Sequence, residues 1–363
     1  MKKQLTLAAF AFLAAASLPA QAQFTVDGTA SAAEIGTGIG KYQLASSYTG
    51  THSDADRGIK ALYVGYTATT LNLMLVGSGE AATSGPYKAF VMYLNVPGRT
   101  GVAAGTQLPG SGDGFSPLKH KPTMDMEVDF GLRVSIGPGA GDVYFSRASY
   151  VGTSPSDTYL GQGSKTGTAV TAAATTDFSG AKLAYNNTAS LAANTTNTGW
   201  EVEIPLSVLG TLTSPVTVGS RVDLFAAYTD GDGVFTSDVI PPISGQTTAL
   251  GADPNFRNIA GTQALGYVIG TGLVANREAA ELLKFAVYPN PSAGAAQITY
   301  LVPTGQQNVV LEVFNSLGQR VQNLSLGRRS GPQTQPLNNL QAGSYFVKLQ
   351  VGDQVTARQL AVY

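Results

Sequence analysis

The sequence predicts an all-β protein, a β-sandwich followed by a smaller immunoglobulin-like β-sandwich, and three observations predict it. Short runs rich in Thr, Val and Tyr recur between turn residues, with no helical periodicity between them. Charged residues make up only 12% of the chain while glycines number 43, a balance that favours strands and turns. One abrupt helix-favouring stretch, Ala275 to Leu283, separates two series of such runs.

Taken in order, the chain starts as a processing segment. Lys2 and Lys3 precede an apolar stretch, Leu5 to Leu18, too short to span a bilayer. Ala20-Gln21-Ala22 is a small-x-small cleavage site, so residues 1–22 read as a signal peptide and the mature chain is expected to begin at Gln23. No later run is long and apolar enough to be a transmembrane segment. With 363 residues there is room for two units with cores of their own.

The first unit spans residues 23–272. Strands are predicted at Ala61 to Tyr66, Thr70 to Val76, Ala89 to Asn95, Met124 to Ser135, Asp142 to Arg147, Gly199 to Pro205 and Arg221 to Tyr228. Gly98 to Ser116 and Thr153 to Thr198 read as loops, the second long enough to hide one or two edge strands. Residues 273–284 form a linker or one short helix. The second unit, 285–363, has its own rhythm, with six runs: Ala296 to Val302, Asn308 to Asn315, Arg320 to Leu326, Gln333 to Leu337, Gly343 to Val351 and Gln354 to Val362.

Charge and composition remove several function classes. Up to Leu283 the mature chain carries 14 basic and 21 acidic residues, and from Lys284 onward 6 basic and 2 acidic. The first unit therefore lacks the basic footprint that nucleic acid requires. There is no cysteine, hence no disulfide framework, thiolate metal site, Cys nucleophile or lipoprotein anchor. The two histidines, His52 and His120, have no zinc-type spacing, and no serine sits in a Gly-x-Ser-x-Gly elbow. Gly137 to Gly141 lacks the Lys and helix of a phosphate loop. No catalytic residue is assigned.

Two acidic groupings invite a calcium reading. Asp230 and Asp232 sit on a Gly-flexed loop ahead of Asp238, although the full EF-hand pattern is absent and Asp-Gly pairs are also ordinary turn chemistry. Asp125, Glu127 and Asp129 alternate with apolar residues, so on a strand they would share one face at ~7 Å intervals. They suit either Ca²⁺ or a solvated face paired with Lys119, Lys121 or Arg133. Trp200, the only tryptophan, alternates with Glu201 and Glu203 and fits either the core or a sugar-stacking position.

The tail carries three motifs in order. Val287-Tyr288-Pro289-Asn290-Pro291-Ser292 opens it; Leu311 to Val321 holds a strand, a turn with Gly318 and a second strand; Leu340 to Lys348 includes Gly343, Tyr345 and Lys348. From Phe285 to Tyr363 the chain resembles the C-terminal sorting domain of the type IX secretion system of Bacteroidota. That resemblance implies periplasmic transit, recognition by the type IX secretion machinery, and release or display at the outer cell surface, usually with removal of the tail. The basic residue with which that family often ends is replaced here by Leu360 to Tyr363. In the first unit, Thr25-Val26-Asp27-Gly28 with Glu34, together with Gly199 to Leu206, resembles family 9 carbohydrate-binding modules and DOMON-type sandwiches. Ile35 stands where that family commonly has Trp. The resemblance implies extracellular glycans as the ligand class. A structural or adhesive protein without a sugar site, and an extracellular hydrolase, are the competing expectations.

Overall fold

The computed structural model describes residues 24–79, 87–152, 155–188, 190–273, 283–315, 319–352 and 354–363. The signal peptide, most of the linker at 273–284, and Gly318 lie outside the described residues. In chain order the first unit contains β1 (Gln43–Ser47), β2 (Gly58–Tyr66), β3 (Thr70–Ser78), β4 (Lys88–Asn95), β5 (Phe130–Ile136), β6 (Val143–Ser149), β7 (Ser156–Gly163), β8 (Val170–Thr171), β9 (Lys182–Tyr185), β10 (Gly199–Pro205), β11 (Arg221–Thr229), β12 (Phe235–Ile240), β13 (Leu265–Val268) and β14 (Gly272–Leu273). A single helical turn, α1 (Leu206–Leu209), follows β10. Among the described residues no helix is long and apolar enough to cross a membrane.

These strands form two antiparallel sheets. The first runs β1-β2-β3-β10-β9-β8; the second runs β14-β13-β11-β4-β5-β6-β7, with β12 continuing the β13 edge of β11. Alternation builds the core between them. Leu71, Leu73 and Leu75 of β3 and Trp200, Val202 and Ile204 of β10 meet Phe90, Met92 and Leu94 of β4 and Leu132 and Val134 of β5. Trp200 is fully buried there, which resolves its position in favour of the core.

The opposite faces of the central strands are also buried, so these strands read as continuous apolar runs. On the second sheet, Val91, Tyr93 and Phe225 pack under loop residues Leu108, Leu118, Met124, Val128 and Phe256. On the first sheet, Met74 and Val76 pack under Phe24, Ala30 and Tyr42 of the N-terminal segment.

That segment is held down by one carboxylate. Glu201 Oε2 accepts hydrogen bonds from the backbone N–H groups of Asp27 (2.9 Å) and Gly28 (2.8 Å), and Oε1 accepts one from the Tyr42 hydroxyl (2.7 Å). Gly28 adopts φ +73°, and a Cβ there would lie 2.5 Å from the Asn186 nitrogen, so the approach requires glycine. Glu34 orders the same turn by accepting from the N–H of Thr25 and of Ser31. The residues that resemble a carbohydrate-binding family are thus a structural clasp. Burial outweighs the three donors and pushes the Glu201 carboxyl up to about 7.

The second unit contains β15 (Ala286–Tyr288), β16 (Ala296–Asn315), β17 (Arg320–Leu337), β18 (Gly343–Val351) and β19 (Gln354–Val362). Its sheet runs β15-β16-β18-β19, with β17 on the other edge of β16. Four of the six expected runs are fused in pairs into two long strands. β16 and β17 pair along both halves, with a register shift between Val302 and Gln307. The first half of β16 borders β15 and the second half borders β18, so one long ribbon serves two layers. Ile298, Tyr300 and Val302 from the first half share a core with Val309, Leu311 and Val313 from the second and with Val347 and Leu349 of β18.

Truncation of the buried indole, Trp200→Ala, is expected to destabilise the first unit by about 3–5 kcal/mol, measured by urea unfolding followed by circular dichroism. Glu201 supplies a pH signature. Its folded value of about 7 exceeds the ordinary 4.5, so the folded state holds a proton that the unfolded chain releases. The stabilisation is complete below about pH 4.5 and is lost as pH rises toward about 7, on the order of 3 kcal/mol in all. Glu201→Gln should flatten unfolding midpoints across that window; an unchanged slope would assign it to other groups.

Candidate functional site

In the tail the three motifs fold into one connected structure. Asn290 reaches the last strand: its amide Nδ2 donates to the Gln359 carbonyl (2.8 Å) and its Oδ1 accepts from the Ala361 N–H (2.9 Å). Ser292 continues this pairing through the Ala361 carbonyl, and the Tyr363 N–H returns a bond to Ser292. The opening motif is thereby sewn to the chain end. Pro289 and Pro291 both follow cis peptide bonds, and Tyr288 is exposed.

The second and third motifs meet across β16 and β18, where Glu312 stands opposite Lys348. The Glu312 carboxylate accepts from Lys348 Nζ (3.2 Å) and from the Arg320 guanidinium (2.7 Å). These two cations hold the carboxyl below its ordinary value. Tyr345 turns its ring into the core and donates its hydroxyl to the Gln341 carbonyl (2.9 Å), fixing the turn that contains Gly343. Lys348 is therefore a cross-strand partner, and Asn290 a tie between motif and terminus.

In the first unit the acidic groupings are dispersed. Asp230 Oδ1 accepts from the N–H groups of Asp232 and Val234, an Asp-Gly turn closed on itself. Asp238 is buried and accepts from the Ile59 N–H (3.0 Å) with His52 Nδ1 at 2.6 Å. Asp230, Asp232 and Asp238 are not brought together, and among the described residues no three His, Asp or Glu side chains form a metal-sized cluster. Asp125, Glu127 and Asp129 lie on an irregular segment ahead of β5 rather than on a strand. Each ties down a different backbone N–H: Asp125 that of Gln263, Glu127 that of Gly101 and Asp129 that of Val96. Burial pushes Asp129 up to about 6. The expected shared face does not form, because these carboxylates serve loop closure.

One face of the second sheet has a different character. Beyond its apolar cluster, β5, β6 and β7 present outward-facing side chains in register: Arg133, Ser146 and Tyr159 in one row, Ser135, Tyr144 and Gln162 in the next, with Arg133, Ser135 and Ser146 buried and Tyr159 exposed. Tyr87 joins them, with its ring centroid 6.1 Å from that of Tyr144. Tyr159 is 57% exposed and Tyr87 39%, and Phe115, on the loop whose Asp113 pairs with Arg133, is 97% exposed. Beneath them lie polar atoms without a protein partner: Arg133 Nε, Ser146 Oγ and Asp157 Oδ2. Exposed aromatic faces over unsatisfied polar atoms can stack on a flat ligand and hydrogen-bond its edge. The sequence signal was available in Val143-Tyr-Phe-Ser146, where two aromatics at adjacent positions must face opposite sides.

A cleft of about 190 Å³ lined by Lys41, Gln43, Tyr66 and Tyr267 is a weaker candidate. It is below the roughly 300–1,000 Å³ of ordinary ligand pockets.

The folded tail and its linked motifs define an exported protein carrying a C-terminal address. Residues 286–363 match the family described as the secretion system C-terminal sorting domain. The protein is accordingly sent by the type IX route to the cell surface or beyond. No curated protein matches the chain significantly. Among solved structures, dimeric latent PorU from Porphyromonas gingivalis is similar at 12% identity, over 89% of this chain and 34% of that one, with a TM-score of 0.20. The BSP domain of a biofilm-associated protein is similar at 9% identity, over 94% and 53%, with a TM-score of 0.19. The chain spans about a third and about half of these two structures.

Removal of residues 285–363 is expected to leave the first unit folded but confined to the periplasm, as read by fractionation and immunoblotting. Truncated protein in the medium at full-length levels would contradict the sorting assignment.

Proposed function

We propose that the exported protein is a non-enzymatic glycan binder, whose first unit engages saccharides outside the cell through the outer face of β5–β7. The observation that carries this reading is the group of tyrosines, Tyr87, Tyr144 and Tyr159, gathered on one open sheet face over buried polar atoms. Tyrosine offers a rigid ring and a hydroxyl at small entropic cost, which suits the alternating apolar and polar surface of a sugar. The absence of catalysis is part of the proposal. Asp125 and Glu127 line a small cleft of about 150 Å³ with Asp223, but Asp125, Glu127 and Asp129 are each engaged by a backbone N–H, of Gln263, Gly101 and Val96, and serve to hold loops. The resemblance at the two ends of the unit supports the glycan class only indirectly, since its residues form the Glu201 clasp.

The test is retention of the secreted protein on a panel of polysaccharides, with and without calcium. Tyr159→Ala and Tyr144→Ala are each expected to weaken binding by roughly tenfold, corresponding to ~1.4 kcal/mol. The unfolding midpoint of Tyr159→Ala should stay unchanged, since that ring is mostly exposed. No retention under either condition would leave the structural or adhesive role, and release of reducing sugar would favour the hydrolase.

A further inference from the structure

We infer that the floor of the tyrosine face binds adjacent hydroxyls of a neutral sugar residue admitted beneath the Gly110–Ser116 loop, and that it refuses acidic saccharides. This inference rests on the glycan reading above. It starts from the satisfaction of buried polar groups. Arg133 is 8% exposed and Ser146 is fully buried, yet Arg133 Nε and Ser146 Oγ have no protein partner, and neither has the buried Oδ2 of Asp157. Ser111 Oγ, on the loop that covers them, is in the same condition. An unpaired buried donor or acceptor costs about 1–3 kcal/mol, so such a cluster on one face is expected to serve a ligand.

The donor and acceptor types narrow that ligand. A guanidinium N–H only donates, a carboxylate oxygen only accepts, and a serine hydroxyl does both. Register places them side by side, with Ser146 between Arg133 and Tyr159 and Asp157 opposite Ala148 in the next row. A pair of neighbouring sugar hydroxyls, each able to donate and accept, matches this set. Phosphate, sulfate or carboxylate does not, because those groups only accept and Asp157 would face them without a proton to share.

Charge argues the same way. The Arg133 guanidinium already stands between two carboxylates, Asp113 at 3.5 Å and Asp157, and both act on its ionisation. Asp157 also acts on Arg147, which is itself paired with Asp177, so these two cations and three carboxylates sum to one negative charge, within a unit that is acidic as a whole. A uronate or sulfated sugar would be brought against Asp113 and Asp157 with no uncompensated cation to receive it.

Access comes through the loop above. Gly110, Gly112 and Gly114 alternate along it; Gly110 and Gly112 take positive φ, and a Cβ at Gly112 or Gly114 would meet no atom within 4 Å. Its tie to the floor is the Asp113–Arg133 contact at 3.5 Å, long for an ion-paired hydrogen bond. Release of that tie uncovers Arg133 Nε and Ser146 Oγ, and it lets the exposed ring of Phe115 fold over a bound sugar.

The experiment compares retention of the full-length secreted chain on neutral polymers (β-glucan, mannan, xylan) with retention on polygalacturonate, alginate and a sulfated glycan, at physiological salt. Binding to a neutral polymer alone is expected. Ser146→Ala and Asp157→Asn should each lower that affinity about tenfold, and Phe115→Ala about threefold, with unfolding midpoints checked so that a misfolded variant is recognised. Retention only on acidic polymers would overturn the inference and leave the glycan reading standing. So would full affinity in both floor variants while Tyr159→Ala still loses binding. Retention on no polymer would sink both.

Discussion

The clasp at Glu201 is the interaction on which the first unit depends. A carboxylate on the outer face of β10 is a liability unless it is covered and paired. Here the N-terminal segment covers it and supplies two N–H donors and, through Tyr42, a hydroxyl. With that cover in place Met74 and Val76 are buried on the side of β3 that faces away from the main core. The first sheet is thereby closed on both faces. The Asp27-Gly28 dipeptide and the Trp200-Glu201 strand, 173 residues apart, become one structural device. Its indole half packs the core and its carboxylate half holds the lid.

The second sheet is closed differently, and the difference creates the site. Its outer face is covered by apolar loop residues over β4, β11, β12 and the Ala148 end of β6, where Tyr93, Phe225 and Phe235 lie under Leu118, Met124 and Phe256. Asp125, Glu127 and Asp129 are the pins that keep those loops down. Toward β7 and the Tyr144 end of β6 the apolar cover gives way, and the outward residues change from buried apolar side chains to Tyr, Ser, Arg and Gln. An edge that must face water and still hold shape has here been furnished with rings and unsatisfied polar atoms rather than with charges alone.

What could be read from the sequence follows the strength of the burial signal. β2, β3, β4, β10 and β11 are buried almost throughout, and their apolar runs are plain. β7, with the sequence Ser-Asp-Thr-Tyr-Leu-Gly-Gln-Gly, is an exposed edge strand whose pattern hides among polar residues; with β8 and β9 it makes three strands in the stretch expected to hide one or two at an edge, and β9 lies between β10 and β8. The alternation around Asp125 to Asp129 imitates a strand, because buried loop residues and loop-pinning carboxylates also alternate. In the tail, the Pro303-to-Gly305 turn signal does not end β16; it falls at the register shift between Val302 and Gln307, after which pairing with β17 resumes. Of the tyrosine face only the outward turn of Tyr144, beside Phe145, is legible; the other members come from separate segments, and only strand register brings them into rows.

The division of labour between the two units also bears on how each recognises its partner. In the tail, Lys348 is engaged by Glu312 and Asn290 by the last strand, so the sorting motifs are parts of one folded surface. In the first unit, cations are likewise paired internally: Arg133 with Asp113, Lys182 with Glu203, Arg221 with Asp223. On the proposed reading, a binding face made in this way works through ring stacking and short hydrogen bonds, and these are screened little by salt. For a protein that operates outside the cell, where ionic strength is not controlled, contacts of that kind keep their strength when long-range electrostatic attraction would not.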